Sequence, residues 1–100
     1  MVKHIILWKI KEEKTAEEKQ QIKENVKKGL EGLLGQVPGL TECHVQIEAL
    51  ASSTADILLD STFTDEEALT AYKTHSAHVE VADTYVRPFM EVRMCLDFLV

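Results

Sequence analysis

Phe63-Thr-Asp-Glu-Glu-Ala-Leu-Thr-Ala-Tyr-Lys-Thr-His-Ser-Ala-His78 decides the fold, because it joins the end of a strand to the start of a helix. Thr64-Asp-Glu-Glu67 has the capping-box pattern, in which a threonine oxygen and a glutamate three residues on satisfy free amides at a helix start. The helix that opens there carries Ala68, Leu69 and Tyr72. A further helical segment is expected from about Ala77 to Val86, where Pro88 stops it. Tyr72 and His75 share one helix face by their i, i+3 spacing, and His78 follows at the next helical interval. Three side chains that hydrogen-bond or titrate therefore converge.

Working outward from this stretch, Ala55 to Phe63 reads as a strand with Ile57, Leu59 and Phe63 on one face and Leu58, flanked by Asp56 and Asp60, on the other. Leu40 to Leu50 reads as an edge strand, with Thr41, Cys43, Val45, Ile47 and Ala49 on its apolar side. Thr15-Ala-Glu-Glu18 is another capping box, opening a helix to about Leu34 whose stripe is Ile22, Val26, Leu30, Leu33 and Leu34. Gly29 and Gly32 each cost this helix about 1 kcal/mol against alanine, which predicts a close approach to the sheet or a void beneath them. Val2 to Ile10 is apolar on both faces and is expected to be a central strand, while Met90 to Phe98 forms the last strand. Strand, helix, strand, strand, helix, strand is the ferredoxin-like α+β order: a four-stranded antiparallel sheet with helices on one face only. Ile5, Leu7 and Leu58 then lie on the bare face, and a homodimer with sheets face to face would cover them.

Composition narrows the function. One hundred residues with 45% hydrophobic content predict a single domain over 1–100. Eleven basic against 17 acidic residues leave a net charge of −6, which disfavours nucleic acid and anionic membranes as partners. The apolar run Ile5-Ile6-Leu7-Trp8 between Lys3 and Lys9 is too short for a signal core or a membrane span, so a cytoplasmic location is expected. Cys43 and Cys95 lie in strand-like segments outside any CxxC, which predicts buried, reduced thiols on opposite sheet edges.

His4-Ile-Ile-Leu-Trp-Lys-Ile-Lys11, Val37-Pro-Gly-Leu40, Asp56-Ile-Leu-Leu-Asp60, Phe63 to His78 and Leu96-Asp-Phe98 together resemble the stress-responsive dimeric alpha-beta barrel (Dabb) family over nearly the whole chain. The resemblance implies a homodimer with a cavity in each subunit between sheet and helices. Some plant members of that family are polyketide cyclases that close a ring by intramolecular aldol condensation without metal or cofactor, and their site residues match His4, Tyr72 and His78. Two departures stand out. Ser76 replaces a frequent proline, which predicts a looser junction before the third helix, and Ile57 stands where the cyclases carry a further histidine.

The candidate catalytic residues are thus His78 as general base or acid, Tyr72 as a hydrogen-bond donor to a carbonyl, and His4 orienting the base. His75, Ile6, Trp8, Ile22, Val26, Ile57 and Leu59 are expected to line the ligand pocket. The plainer alternative makes Tyr72 and the histidines packing residues with satisfied polar tips. His75 and His78 could begin a metal site with His4 or Cys95 completing it, but zinc needs three or four convergent ligands and the nearest carboxylates face elsewhere, so neither metal nor cofactor is expected. Three functions follow: a dimer that binds a small apolar or aromatic molecule, a cofactor-independent lyase or cyclase using Tyr72 and His78, and a structural assembly dimer with a filled interior. Only the last forbids a cavity, and one filled by Trp8 or left open beneath Gly29 would separate them.

Overall fold

The computed structural model describes residues 1–100. Its strands are β1 (Val2–Ile10), β2 (Leu40–Gln46), β3 (Ile57–Phe63) and β4 (Met90–Leu99). The helices are α1 (Ala16–Glu31), α2 (Glu66–Thr74) and α3 (Ser76–Val81), the last running on into a π-helical turn, Ala82–Val86, and a 3-10 turn, Arg87–Phe89. One antiparallel sheet of order β2-β3-β1-β4 results, with all helices on one side: the ferredoxin-like α+β fold. β1 is central, as its two apolar faces require. Its residues Val2, His4, Ile6, Trp8 and Ile10 are buried beneath the helices, while Leu7 is 40% exposed on the other face.

Capping determines where the helices begin. Thr15 accepts from the Glu18 amide at 3.1 Å and Glu18 accepts from the Thr15 amide at 2.9 Å, completing the reciprocal box at α1. At α2 the cap is Asp65, not Thr64: its carboxylate accepts from the Ala68 amide at 2.8 Å, a charged acceptor that complements the helix dipole. α1 ends at Glu31, earlier than the apolar stripe suggests, with Gly32 as its C-cap. Leu34 consequently leaves the stripe and is 48% exposed. Gly39, at φ +85°, lets β2 begin tight against α2, since a Cβ there would stand 2.5 Å from the Ala68 Cβ.

Several sequence expectations need correction. β2 stops at Gln46, and a register shift between Leu40 and Glu42 turns Thr41 outward while Leu40, Cys43 and Val45 stay inside. The space beside Gly29 is a groove between α1 and α3, not a void beneath the helix toward the sheet. A Cβ at Gly29 would lie 2.9 Å from Val81 Cγ1, so this glycine admits α3 rather than the sheet. Pro88 falls within the 3-10 turn, where its missing N–H is harmless, and the helical path changes pitch before it. Cys43 is buried in β2, its thiol pushed up to about 12 by burial, but Cys95 is exposed because β4 is an edge strand with no element over its rim. Both thiols are free, on opposite edges of the sheet.

Candidate functional site

The antiparallel register between β1 and β4 sets His4 opposite Asp97, Ile6 opposite Cys95 and Trp8 opposite Arg93, all on the helix side. His4 is 2% exposed. Its Nδ1–H donates to Asp97 Oδ1 at 2.5 Å, which fixes the tautomer and leaves Nε2 as the free acceptor. Burial is the largest influence on His4 and holds its pKa below the ordinary 6.5, against the opposing pull of Asp97. Burial pushes the Asp97 carboxyl up, yet the hydrogen bond and charge of His4, joined by the Cys95 hydrogen bond and the Lys73 charge, keep Asp97 below its usual range. A neutral imidazole held by a carboxylate is therefore the state of this pair near neutral pH.

α2 and α3 bring the remaining polar groups over β1. Tyr72 stacks on His78 with ring centroids 4.0 Å apart and packs at 4.9 Å against Phe63 and 6.0 Å from the His4 ring. Such aromatic arrangements contribute about 0.5–1.5 kcal/mol per pair beyond burial. Burial raises the Tyr72 pKa well above its ordinary value and lowers that of His78, so both are neutral. His78 Nδ1 is buried and unpartnered, and the Tyr72 hydroxyl makes no hydrogen bond to the protein. His4 Nδ1 is satisfied by Asp97, and the backbone of Lys73 and Tyr72 lies close enough to His78 to favour its charged form, so beside the free His4 Nε2 the unused hydrogen-bonding capacity is confined to the Tyr72 hydroxyl and His78 Nδ1.

His4, Tyr72 and His78 border one cavity of about 380 Å³, near the lower end of the ~300–1,000 Å³ typical of small-molecule sites. Nine of its 15 lining residues are hydrophobic, which makes it a site for a mainly apolar body. Ile6, Trp8 and Leu59 form its floor, Ala82, Val86 and Arg87 its roof, and Lys73, Glu91 and Arg93 stand at the mouth. Trp8 is part of the floor and leaves the space open. The other residues expected around a ligand lie elsewhere. Ile22 and Val26 belong to the core beneath α1, of which only Leu30 reaches the wall, and Ile57 sits beyond the cavity at the far end of β3. His75 ends α2 and caps α3, its Nδ1 accepting from the Ala77 amide at 3.1 Å. That bond defines the junction where Ser76 replaces a proline.

Asp97 went unassigned from sequence, although its alternation along β4 carries the signal: an acid two residues beyond Cys95 falls on the same face. It also overturns the expectation that carboxylates face away. His4, Cys95 and Asp97 place their donor atoms within 4.8 Å of one another. In this arrangement His4 and Asp97 are hydrogen-bonded at 2.5 Å and the Cys95 thiol donates to Asp97 Oδ1 at 3.4 Å.

Fold and cavity together define a ferredoxin-like α+β domain with a ligand-sized chamber between sheet and helices. The chain belongs to the stress responsive A/B barrel domain (Dabb) family, whose profile matches residues 2–100. A dimeric protein of ferredoxin-like fold from Bacteroides fragilis is similar at TM-score 0.91 and 28% identity, over 97% of this chain and 93% of that one. A Dabb family protein from Mesorhizobium loti matches at TM-score 0.74 and 19% identity, over 99% and 95%. The hydroxynitrile lyase of Passiflora edulis shares the fold at TM-score 0.73 and 16% identity, over 99% and 92%. A search of curated protein sequences found no match.

Proposed function

We propose that the protein is a homodimer that takes a small apolar or aromatic carbonyl compound into the cavity and moves a proton on it without metal or cofactor. The observation that carries this reading is buried His4 in the wall of an open cavity, held from outside it by the exposed carboxylate of Asp97, with Tyr72 and its unpartnered hydroxyl beside it. His4 Nε2 would remove a proton from the carbon next to the carbonyl. Tyr72 would donate a hydrogen bond to the carbonyl oxygen as it becomes an enolate. His78, neutral and stacked on Tyr72, would hold the phenol in place. In an intramolecular aldol closure the enolate carbon attacks a second carbonyl, and the proton on His4 passes to the new alkoxide, so no oxidant or reductant is needed. This transfers the role of base from His78 to His4, because only His4 has a carboxylate partner.

The homodimer rests on the bare sheet face. There Ile5, Leu7 and Leu58 are joined by Met94, Leu96 and Phe98 of β4, the last three 64%, 64% and 42% exposed. The open chamber also favours ligand binding over a filled assembly domain.

Deuterium exchange at the methyl of acetophenone, followed by NMR, tests the chemistry. The protein should speed exchange saturably, and Asp97→Asn and Tyr72→Phe should each slow it about 10²-fold. Saturable perturbation of Trp8 fluorescence without exchange would leave binding alone standing. Absence of both effects would overturn the proposal.

A further inference from the structure

We propose that the cavity selects an amphipathic anion, an apolar body carrying one carboxylate-type group, with the acidic group held at the mouth by Lys73 and Arg93. This rests on the cavity being a ligand site. Lys73 lies in the last turn of α2 and Arg93 on the edge strand β4, 20 residues apart in sequence, yet both border the same chamber and both are exposed. Neither has a carboxylate within ion-pair distance, whereas Arg87 beside them is bonded to Asp83. The acids that could neutralise them are engaged: Glu91 by Lys9 at 3.1 Å and Asp97 by His4.

A lysine at a helix C-terminus and an arginine on an edge strand each have ordinary structural reasons to be there. Those reasons do not explain why both cations, unpaired, rim the same mainly apolar chamber in a chain with net charge −6. Surface charge of that sign repels anions, so a local cationic rim is the feature that would draw one in and orient it. Lys73 and Arg93 both lie near enough to His4 to oppose its protonation, so they share the field of the site. An acid bound between them would sit at the mouth with its apolar end directed over Trp8 and Ile6, past His4 and Tyr72.

Two dyes differing by one sulfonate make the test: 8-anilinonaphthalene-1-sulfonate and neutral N-phenyl-1-naphthylamine. Both affinities would be measured by fluorescence titration of the full chain, with 4-phenylbutyrate and inorganic phosphate as competitors. The sulfonate should bind about tenfold more tightly than the neutral dye, the size of one charge-assisted contact. In Lys73→Gln/Arg93→Gln that ratio should fall to near one, and added salt should narrow it in the parent chain. 4-Phenylbutyrate should displace the sulfonate, and phosphate should not. Equal affinities in the parent chain, or a ratio that survives the double substitution, would overturn the anion preference. Displacement by phosphate alone would overturn the amphipathic part. Failure of both dyes to bind would instead remove the cavity reading on which the inference rests.

Discussion

On its helix side the sheet keeps polar groups inside an open chamber, and on its other side it keeps apolar groups facing out. Ile5, Leu7, Leu58, Met94, Leu96 and Phe98 contain nothing that binds by direction; they are a surface that water disfavours and that one large flat partner would cover. His4 and Tyr72 are the reverse, buried where burial is costly, and half-buried His78 turns a buried Nδ1 inward, so hydrogen-bonding capacity is left over. The same strand supplies both sides, alternate residues of β1 going to each. Unspent apolar area points to assembly, and unspent hydrogen bonds point to a ligand.

The strongest way to break the comparison is to put a charge on the outer face. Leu7→Glu should abolish the dimer, because covering an unpaired carboxylate costs several kcal/mol. Light scattering coupled to size exclusion should then give monomer mass where the parent chain gives dimer. A parent chain that runs as a folded monomer would show that the outer face needs no cover and would refute the assembly half.

Much of this division was already visible in the chain. The apolar alternation of Val2–Ile10, the two acidic helix starts and the order of elements lead to the sheet and its bare face, because each is a local pattern repeated over several residues. The chamber was only partly visible. His4, Tyr72 and His78 carry distinctive side-chain chemistry, but the partner of His4 is 93 residues away and appears only once the register of β1 against β4 is fixed. Gly29 misled for a similar reason. A glycine in a helix announces a close neighbour without saying which, and here the neighbour is Val81 of α3.

Two substitutions at Tyr72 sharpen the inner half. Tyr72→Ala empties a fully buried site and should cost about 3–5 kcal/mol in denaturant unfolding, the range for large aromatic truncations. Tyr72→Phe should cost under about 1 kcal/mol, because the hydroxyl gives up no protein hydrogen bond, while it abolishes most of the exchange on acetophenone. A Phe variant that loses stability as heavily as the Ala variant would mean the hydroxyl serves the fold and not a ligand.

Acid should act on the inner face first. His4 and His78 titrate below 6.5 in the folded chain, chiefly through burial, so the unfolded chain binds protons there that the folded chain does not. Their contribution to stability is complete above pH about 6.5 and declines as pH falls through their folded values. The Asp97 carboxyl, held low, adds a further loss only at lower pH. Melting temperature should therefore drop on acidification from pH 7 to 5, with less of a drop in His78→Gln. A flat profile over that range would show that neither imidazole is as shielded as its burial implies.

The smallest effect on stability belongs to Gly29→Ala, and it tests whether the roof of the chamber is held from behind. Alanine should gain about 1 kcal/mol of helix propensity in α1. Its Cβ would meet Val81 Cγ1 at 2.9 Å, so Val81 must yield by some tenths of an ångström. Val81 is β-branched and stiff at χ1, so the displacement passes to the backbone of α3 and to the adjoining Ala82, which lines the chamber. Gain and strain should nearly cancel, leaving unfolding free energy within about 1 kcal/mol of the parent. Affinity for the neutral naphthylamine dye should nonetheless change several-fold, since the roof shifts and the polar wall does not. A variant stabilised by the full helix gain with unaltered dye affinity would mean that α3 yields freely and does not set the shape of the chamber.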